Sequence, residues 1–219
     1  MRLVTLTAAA ISLCAVAGLS ATTIQDNPPS LDTYNGCPMI GDGQSAGVQA
    51  LNRLKNRYTA PSDAQINPKV TLAAMLAPGK DTGRWKTSYG AEITGYVEDV
   101  KPGGIETVNC HAKDLPDRDT HIELVLDPMN TGSTQRVIVE VTPRWRAIEA
   151  SQNVNWSTAA LRTKVMGRWV KVRGWMLFDV EHANASKNTA PSNPKDWRGT
   201  AWEIHPITSL QVLTGRPSK

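Results

Sequence analysis

The sequence predicts a mainly β fold in which five strands close into a small barrel. From residue 89 onwards, five short runs alternate apolar and polar residues with the period of two that is typical of half-buried strands. A helix is expected in the gap between the third and fourth runs. A closed barrel would also remove the exposed edges that five short strands otherwise present.

The predicted strands run over residues 91–100, 120–126, 136–142, 169–178 and 200–213. We expect a bend or bulge at Gly95 and a break at Pro206, because glycine weakens a strand and proline lacks a backbone donor. Residues 144–166 are the predicted helical insert. Three strands, a helix and two further strands is the chain order of the OB-fold, although other small barrels share the strand count.

Residues 22–88 precede the predicted barrel domain, which covers 89–219. Their first part, 22–43, is rich in Pro, Asn, Asp and Gly and is expected to be irregular. An amphipathic helix follows over 44–58, since Val48, Leu51, Leu54 and Tyr58 recur at helical spacing with Lys and Arg between them. We expect this appendage to pack on the main body.

Residues 1–21 have the features of a secretory signal peptide. One arginine precedes an apolar run of residues 3–17, and small residues then place the cleavage near 17–21. The run is too short to span a bilayer comfortably, and no later stretch is long enough, so the mature chain is expected to lack a transmembrane segment. We therefore expect export to the periplasm or release.

Export also bears on the cysteines. Cleavage removes Cys14 and leaves Cys37 and Cys110. An oxidising compartment favours a disulfide between them, and two free thiols are the alternative. The net charge of +4 over 219 residues is too weak to indicate a polyanion partner by itself.

The first candidate site is an aromatic and basic face on the fourth strand. Its odd positions are Trp169, Lys171, Arg173 and Trp175, which the strand period places opposite the apolar even positions. Indoles flanked by cations are typical of surfaces that bind single strands or glycans. The long loop before the fifth strand adds Trp197 and Arg198. The alternative is that the N-terminal appendage covers these indoles.

The second candidate site is a cluster of carboxylates and imidazoles. Asp119 with His121 and Glu203 with His205 are spaced i, i+2, so each pair shares one face of a strand. In an OB barrel the third strand lies between the second and the fifth, so the outward face could gather these four residues with Glu123 and Glu140. Such a donor set suits Zn²⁺ and similar ions. Orienting hydrogen bonds are the alternative use of such pairs.

Several segments together resemble a group of exported bacterial proteins of uncharacterised function. They include the run Arg118-Asp119-Thr120-His121-Ile122-Glu123-Leu124 and the run Trp202-Glu203-Ile204-His205-Pro206-Ile207-Thr208. The resemblance implies one shared architecture and an exported location. It implies no activity and no catalytic residue.

From these patterns we expect an exported binding module for an oligomer, either single-stranded nucleic acid or a glycan. The alternatives are a metal-dependent hydrolase that uses the carboxylate–imidazole cluster, and a structural envelope protein with an envelope partner. No organic cofactor is expected, a divalent transition metal is the one possible ion, and the sequence leaves the oligomeric state open.

Overall fold

The computed structural model describes residues 30–216, so the predicted signal peptide and its cleavage region lie outside the described residues. The elements are β1 (Thr33–Tyr34), β2 (Cys37–Pro38), α1 (Ala46–Lys55), α2 (Leu72–Leu76), β3 (Gly90–Pro102), β4 (Thr120–Val125), β5 (Val137–Val141), α3 (Pro143–Ser151), α4 (Thr158–Val165), β6 (Trp169–Phe178) and β7 (Trp202–Val212). Within 30–216, every helix is too short or too polar to cross a bilayer.

Strands β3 to β7 form a closed barrel with the order β3-β4-β5-β7-β6. Neighbouring strands are antiparallel except β5 and β7, which are parallel. Helices α3 and α4 lie between β5 and β6 in the chain. The predicted mainly β class and the five-stranded, OB-like barrel with a helical insert are therefore confirmed.

The predicted break at Pro206 is wrong, because β7 continues through this residue. Instead, β7 contains one more residue than β6 in this stretch, because Gly174 pairs with Ile207 and Met176 pairs with Ile204. A Cβ atom on Gly174 would lie 2.2 Å from the carbonyl oxygen of Pro206. Glycine is thus required where the two backbones approach most closely.

The irregularity of β3 is also displaced from its predicted position. The register shifts between Val97 and Asp99, not at Gly95. At Gly95 a Cβ atom would come within 2.7 Å of the Leu72 side chain on α2. The glycine therefore serves the packing of the N-terminal appendage on the barrel.

Alternate residues of the barrel strands fill its interior. Ile122 and Leu124 of β4, Val139 of β5 and Ile204 of β7 belong to one core cluster and are fully buried. Burying each such side chain stabilises the fold by roughly 1.5–3 kcal/mol. The intervening residues of these three strands point outward, and this outer face is also largely covered by other parts of the chain.

The N-terminal appendage is attached to the barrel by the predicted disulfide between Cys37 and Cys110, which the structure confirms. Residues 33–38 form a small hairpin within the segment that was expected to be irregular. Asn35 and Gly36 have φ angles of 47° and 81°, as a tight hairpin turn requires. This Asn-Gly pair was the available signal for the hairpin.

Arg144, in the first turn of α3, also joins the appendage to the barrel. Its guanidinium is 1% exposed. It donates to the carbonyl oxygens of Leu31 (2.7 Å) and Cys37 (2.8 Å) and to Oδ1 of Asn56 (2.7 Å). A side chain without these donors would leave several buried acceptors unpaired, each costing about 1–3 kcal/mol.

We predict that Arg144→Met lowers the free energy of unfolding by at least about 3 kcal/mol in urea titrations. Arg162→Met is the matched control, because Arg162 pairs with Asp99 at 2.8 Å while its side chain is 48% exposed. Its loss should cost no more than about 1 kcal/mol. Equal effects of the two substitutions would contradict the role given to Arg144.

Candidate functional site

Trp175 does not lie on an open surface, so its predicted role in stacking on a ligand is wrong. The residue is 7% exposed. The Arg57 guanidinium lies 4.5 Å from the centre of its ring, and its Nε1 donates to the carbonyl oxygen of Thr59 at 2.7 Å. The chain that follows α1 crosses β6 here, which is the covering by the appendage that the sequence left open.

The other members of the β6 face are engaged in local contacts. Arg173 donates to the carbonyl oxygen of Pro61 (2.9 Å) and to Asp63 (2.7 Å). Lys171 pairs with Glu92 at 3.3 Å. Trp169 is partly exposed and packs edge-on against a tyrosine. The structure therefore does not bring the four predicted residues together as one open aromatic and basic stripe.

Trp197 and Arg198, which were assigned to the same ligand, belong to a different place. Arg198 is fully buried and bonds to Asp179 (2.9 Å) and Glu203, so a ligand phosphate cannot reach it. The prediction that Arg198 contacts an oligomer is wrong. Trp197 is partly buried, and its ring lies 5.7 Å from that of His121, within the carboxylate–imidazole cluster.

The structure does bring the predicted carboxylates and imidazoles together on the outer face of β4, β5 and β7. His121 of β4 pairs directly with Glu140 of β5. Glu203 and His205 extend outward from β7, which neighbours β5. Asp119 lies immediately before β4. The period of two along each strand accounts for this convergence, because the same strands supply the core from their other face.

Within the cluster, carboxylates and imidazoles alternate. Asp119 Oδ2 lies 3.6 Å from Nε2 of His205, and Nδ1 of His205 lies 3.6 Å from Glu140 Oε2 and 3.4 Å from Glu203 Oε2. The other oxygen of Glu140 lies 3.3 Å from Nδ1 of His121. Most of these distances exceed an ordinary hydrogen bond, so the groups lie close together without bonding tightly to one another.

A pocket of about 200 Å³ adjoins the cluster and is called here the acidic pocket. Its lining includes Lys55, Lys101, Glu106, His121, Glu140, Asp179, His182, Trp197 and Glu203. It lies between the loop that joins β3 to β4 and the loop that joins β6 to β7. In the OB-fold these two loops and the second and third barrel strands form the usual ligand-binding region.

Lys55 is the main residue of the acidic pocket that the sequence analysis missed. It is 3% exposed, and its Nζ lies 2.7 Å from Glu106 and 3.2 Å from Glu181. Burial by itself would lower the pKa of Lys55, but Glu106 and Asp179 outweigh it and hold that pKa well above its usual range. The available signal was the polar set Asn52, Lys55 and Asn56, which shares one helix face; α1 buries this face.

Burial changes the ionisation of the cluster. It raises the pKa of Glu140 well above its usual range, and the nearby charges of Glu203 and Asp119 act in the same direction. It likewise raises the pKa of Asp119, although His205 opposes the shift. Burial lowers the pKa of His121 to about 4, so this imidazole is neutral at pH 7. Perturbed ionisable groups beside a pocket are typical of functional sites.

Asp179 and His182 form the rim of the acidic pocket. His182 Nδ1 lies 2.7 Å from Asp179 Oδ2, and this hydrogen bond is the largest cause of the raised pKa of His182. Burial opposes the ionisation of Asp179, but His182 and Arg198 together hold its pKa below the usual range. The rim therefore contains a charged pair at mildly acidic pH.

We predict that Trp175→Ala destabilises the protein by about 3–5 kcal/mol, as expected for removal of a buried indole. The partly exposed Trp169 is the control, and Trp169→Ala should cost less. Urea titrations of both variants provide the measurement. A loss at Trp175 no larger than the loss at Trp169 would show that this indole is not packed under the appendage.

We predict a pH-dependent contribution of His182 to stability. Because its pKa is higher in the folded state, its stabilising effect is complete below the unfolded value of about 6.5 and is lost as the pH rises through the folded pKa. The difference in unfolding free energy between the wild type and His182→Gln should thus be larger at pH 5.5 than at pH 8.5. An equal difference in unfolding free energy at pH 5.5 and at pH 8.5 would refute this prediction.

No protein-family model matches the chain, and a comparison with curated proteins finds no similar sequence. The geometry and the chemistry of the acidic pocket are therefore the basis for a functional proposal.

Proposed function

We propose that this protein is exported and acts as a binding module whose acidic pocket takes a small, positively charged ligand. The predicted signal peptide and the disulfide support the exported location. The observation that carries the ligand proposal is the position of the pocket, on the ligand-binding region of an OB-like barrel, together with its surplus of carboxylates.

The surplus of carboxylates is seen when each carboxylate of the lining is matched with the cation that it contacts. Lys55 pairs with Glu106. Arg198 pairs with both Asp179 and Glu203. Glu140 contacts imidazoles only, among the ionisable nitrogen groups of residues 30–216. A cation entering the pocket would supply the charge that the lining lacks.

The size of the pocket favours a small ligand over an oligomer. A space of about 200 Å³ holds an ion or a small molecule, whereas an oligomer would need the extended surface of β6. Trp175, the inner indole of that surface, is covered. The observations therefore favour the acidic pocket over the β6 face as the binding site.

Metal-dependent hydrolysis is the second candidate function. Glu140 is the observation that favours it, because this residue both lines the acidic pocket and lies 3.6 Å from His205. A substrate in the pocket would lie beside the carboxylate–imidazole cluster. Hydrolysis would additionally need an open coordination position for water.

We expect small cations to raise the melting temperature of the protein. The probes are Zn²⁺, Mn²⁺, Ca²⁺ and putrescine, compared with inorganic phosphate, an oligothymidylate and a chitin oligomer. A ligand at 100 times its Kd adds about 2.7 kcal/mol, which corresponds to about 5 °C or more for a domain of this size.

The control for this experiment separates the pocket from the surface. Glu140→Gln should abolish the shift, while Glu92→Gln, which alters a surface carboxylate paired with Lys171, should preserve it. The proposal fails if no cation shifts the melting temperature, or if the shift is equally large in the Glu140→Gln variant.

A further inference from the structure

We infer that the cation is a divalent transition-metal ion held by Asp119, Glu140 and His205. This inference rests on the function proposed for the acidic pocket and names its ligand. One donor atom of each residue lies within 4.8 Å of the donor atoms of the other two. The three residues are 3%, 7% and 1% exposed, so the donor set lies beneath the pocket and out of contact with bulk water.

The balance of charge in the cluster supports this inference. Five carboxylates are buried in and around this cluster: Asp119, Glu123, Glu140, Asp179 and Glu203. Arg198 is shared by two of them, Asp179 and Glu203, and Lys101 and Arg136 both contact Glu123. In the described part of the chain, the ion-pair contacts of Asp119 and Glu140 are to imidazoles only. A divalent ion would neutralise this remaining pair.

This imbalance of charge is energetically important, because a buried charge without a partner costs several kcal/mol even after the protein relaxes. Two such carboxylates close together would add repulsion to that cost. The unpaired carboxylates are also the two whose donor atoms converge with His205. The shortage of positive charge and the convergence of ligands thus occur at the same place.

Two unpaired buried atoms also support the inference. Nε2 of His205 and Oδ1 of Asp119 are buried and have no hydrogen-bond partner among residues 30–216. Buried polar atoms normally have a partner, so each exception calls for an explanation. A nitrogen lone pair beside a carboxylate is the arrangement that a transition metal uses, and Nε2 lies 3.6 Å from Asp119 Oδ2.

The orientation of the proposed ligands supports the inference as well. A histidine that binds a metal through one nitrogen usually donates from the other to a carboxylate, which fixes the ring. Nδ1 of His205 lies 3.4 Å from Glu203, and Arg198 in turn holds Glu203. His121 contacts Glu140 in the same way at 3.3 Å. The cluster therefore contains the outer groups of a metal site as well as its ligands.

The donor set also indicates the kind of ion. Two carboxylates and one imidazole suit Zn²⁺, Mn²⁺ or Fe²⁺, whereas Ca²⁺ prefers oxygen ligands alone. Donor atoms around tetrahedral zinc lie about 3.4 Å apart, so separations of up to 4.8 Å between these donor atoms would have to close by up to about 1.4 Å. Glu140 Oε2 lies 3.6 Å from Nδ1 of His205, so this carboxylate would have to turn toward Nε2. Three protein ligands leave a position for water or for a group in the pocket.

The test uses tag-free protein purified without chelator. Mass spectrometry should find about one equivalent of transition metal, and calorimetry of protein dialysed against EDTA should give saturable binding of Zn²⁺ or Mn²⁺. Asp119→Asn, Glu140→Gln and His205→Gln should each weaken that binding by at least about tenfold. His111→Gln is the matched control, since the His111 side chain is exposed, pairs with Asp42 and does not line the acidic pocket; the affinity of this variant should be unchanged.

Because the three ligands are buried, a loss of folding must be separated from a loss of binding. Glu203→Gln retains all three proposed ligands and removes the charge that orients His205, while Arg198 keeps its ion pair with Asp179. We expect unchanged circular dichroism and an affinity about tenfold weaker. An affinity equal to that of the wild type would count against the inference.

The competing arrangement is a cluster neutralised by shared protons, without a metal. It predicts no transition metal in the purified protein and no saturable Zn²⁺ or Mn²⁺ binding, and this result would overturn the inference. If putrescine then still stabilises the wild type but not Glu140→Gln, the proposed function stands without the metal. If no cation stabilises the protein, both fail.

Discussion

The burial of five carboxylates against the outside of the barrel constrains much of the surrounding structure. Each carboxylate removed from water needs a counter-charge, since an unpaired buried charge costs several kcal/mol. The chain supplies these charges from different places: Arg136 at the start of β5, and Arg198 from the loop before β7. Lys55 of α1 serves the adjoining Glu106 in the same way. Residues outside the barrel are thereby drawn onto one face of it.

This constraint gives a physical reason for the N-terminal appendage. Helix α1 turns a polar face inward, so that Lys55 reaches the acidic pocket and Asn56 bonds to Arg144. The disulfide fixes the loop between β3 and β4, which contributes Glu106 to the pocket. The appendage and this loop thus close the pocket as well as stabilising the barrel. The loss of solvent that this closure causes also strengthens the electrostatic interactions inside the pocket.

The alternation of side chains along each strand predicted both the barrel and the gathering of Asp119, His121 and His205. This alternation follows from backbone geometry alone. The same alternation placed Trp175 on the outer face of β6. It could not show that residues 57–63 cross over this indole. Likewise, the spacing of apolar residues identified α1 but not the burial of Lys55. Whether a surface is covered depends on contacts between segments that are distant in sequence. The periodic pattern within one strand or helix carries no information about such contacts.

The central claim, that Asp119, Glu140 and His205 hold a metal ion, is tested most directly by crystallography. Crystals of the tag-free protein grown with Zn²⁺ would be measured on both sides of the zinc absorption edge. The account predicts one anomalous peak about 2.0–2.2 Å from Nε2 of His205 and from an oxygen of each carboxylate. No peak at this position, with His205 hydrogen-bonded directly to Asp119 and Glu140, would contradict it.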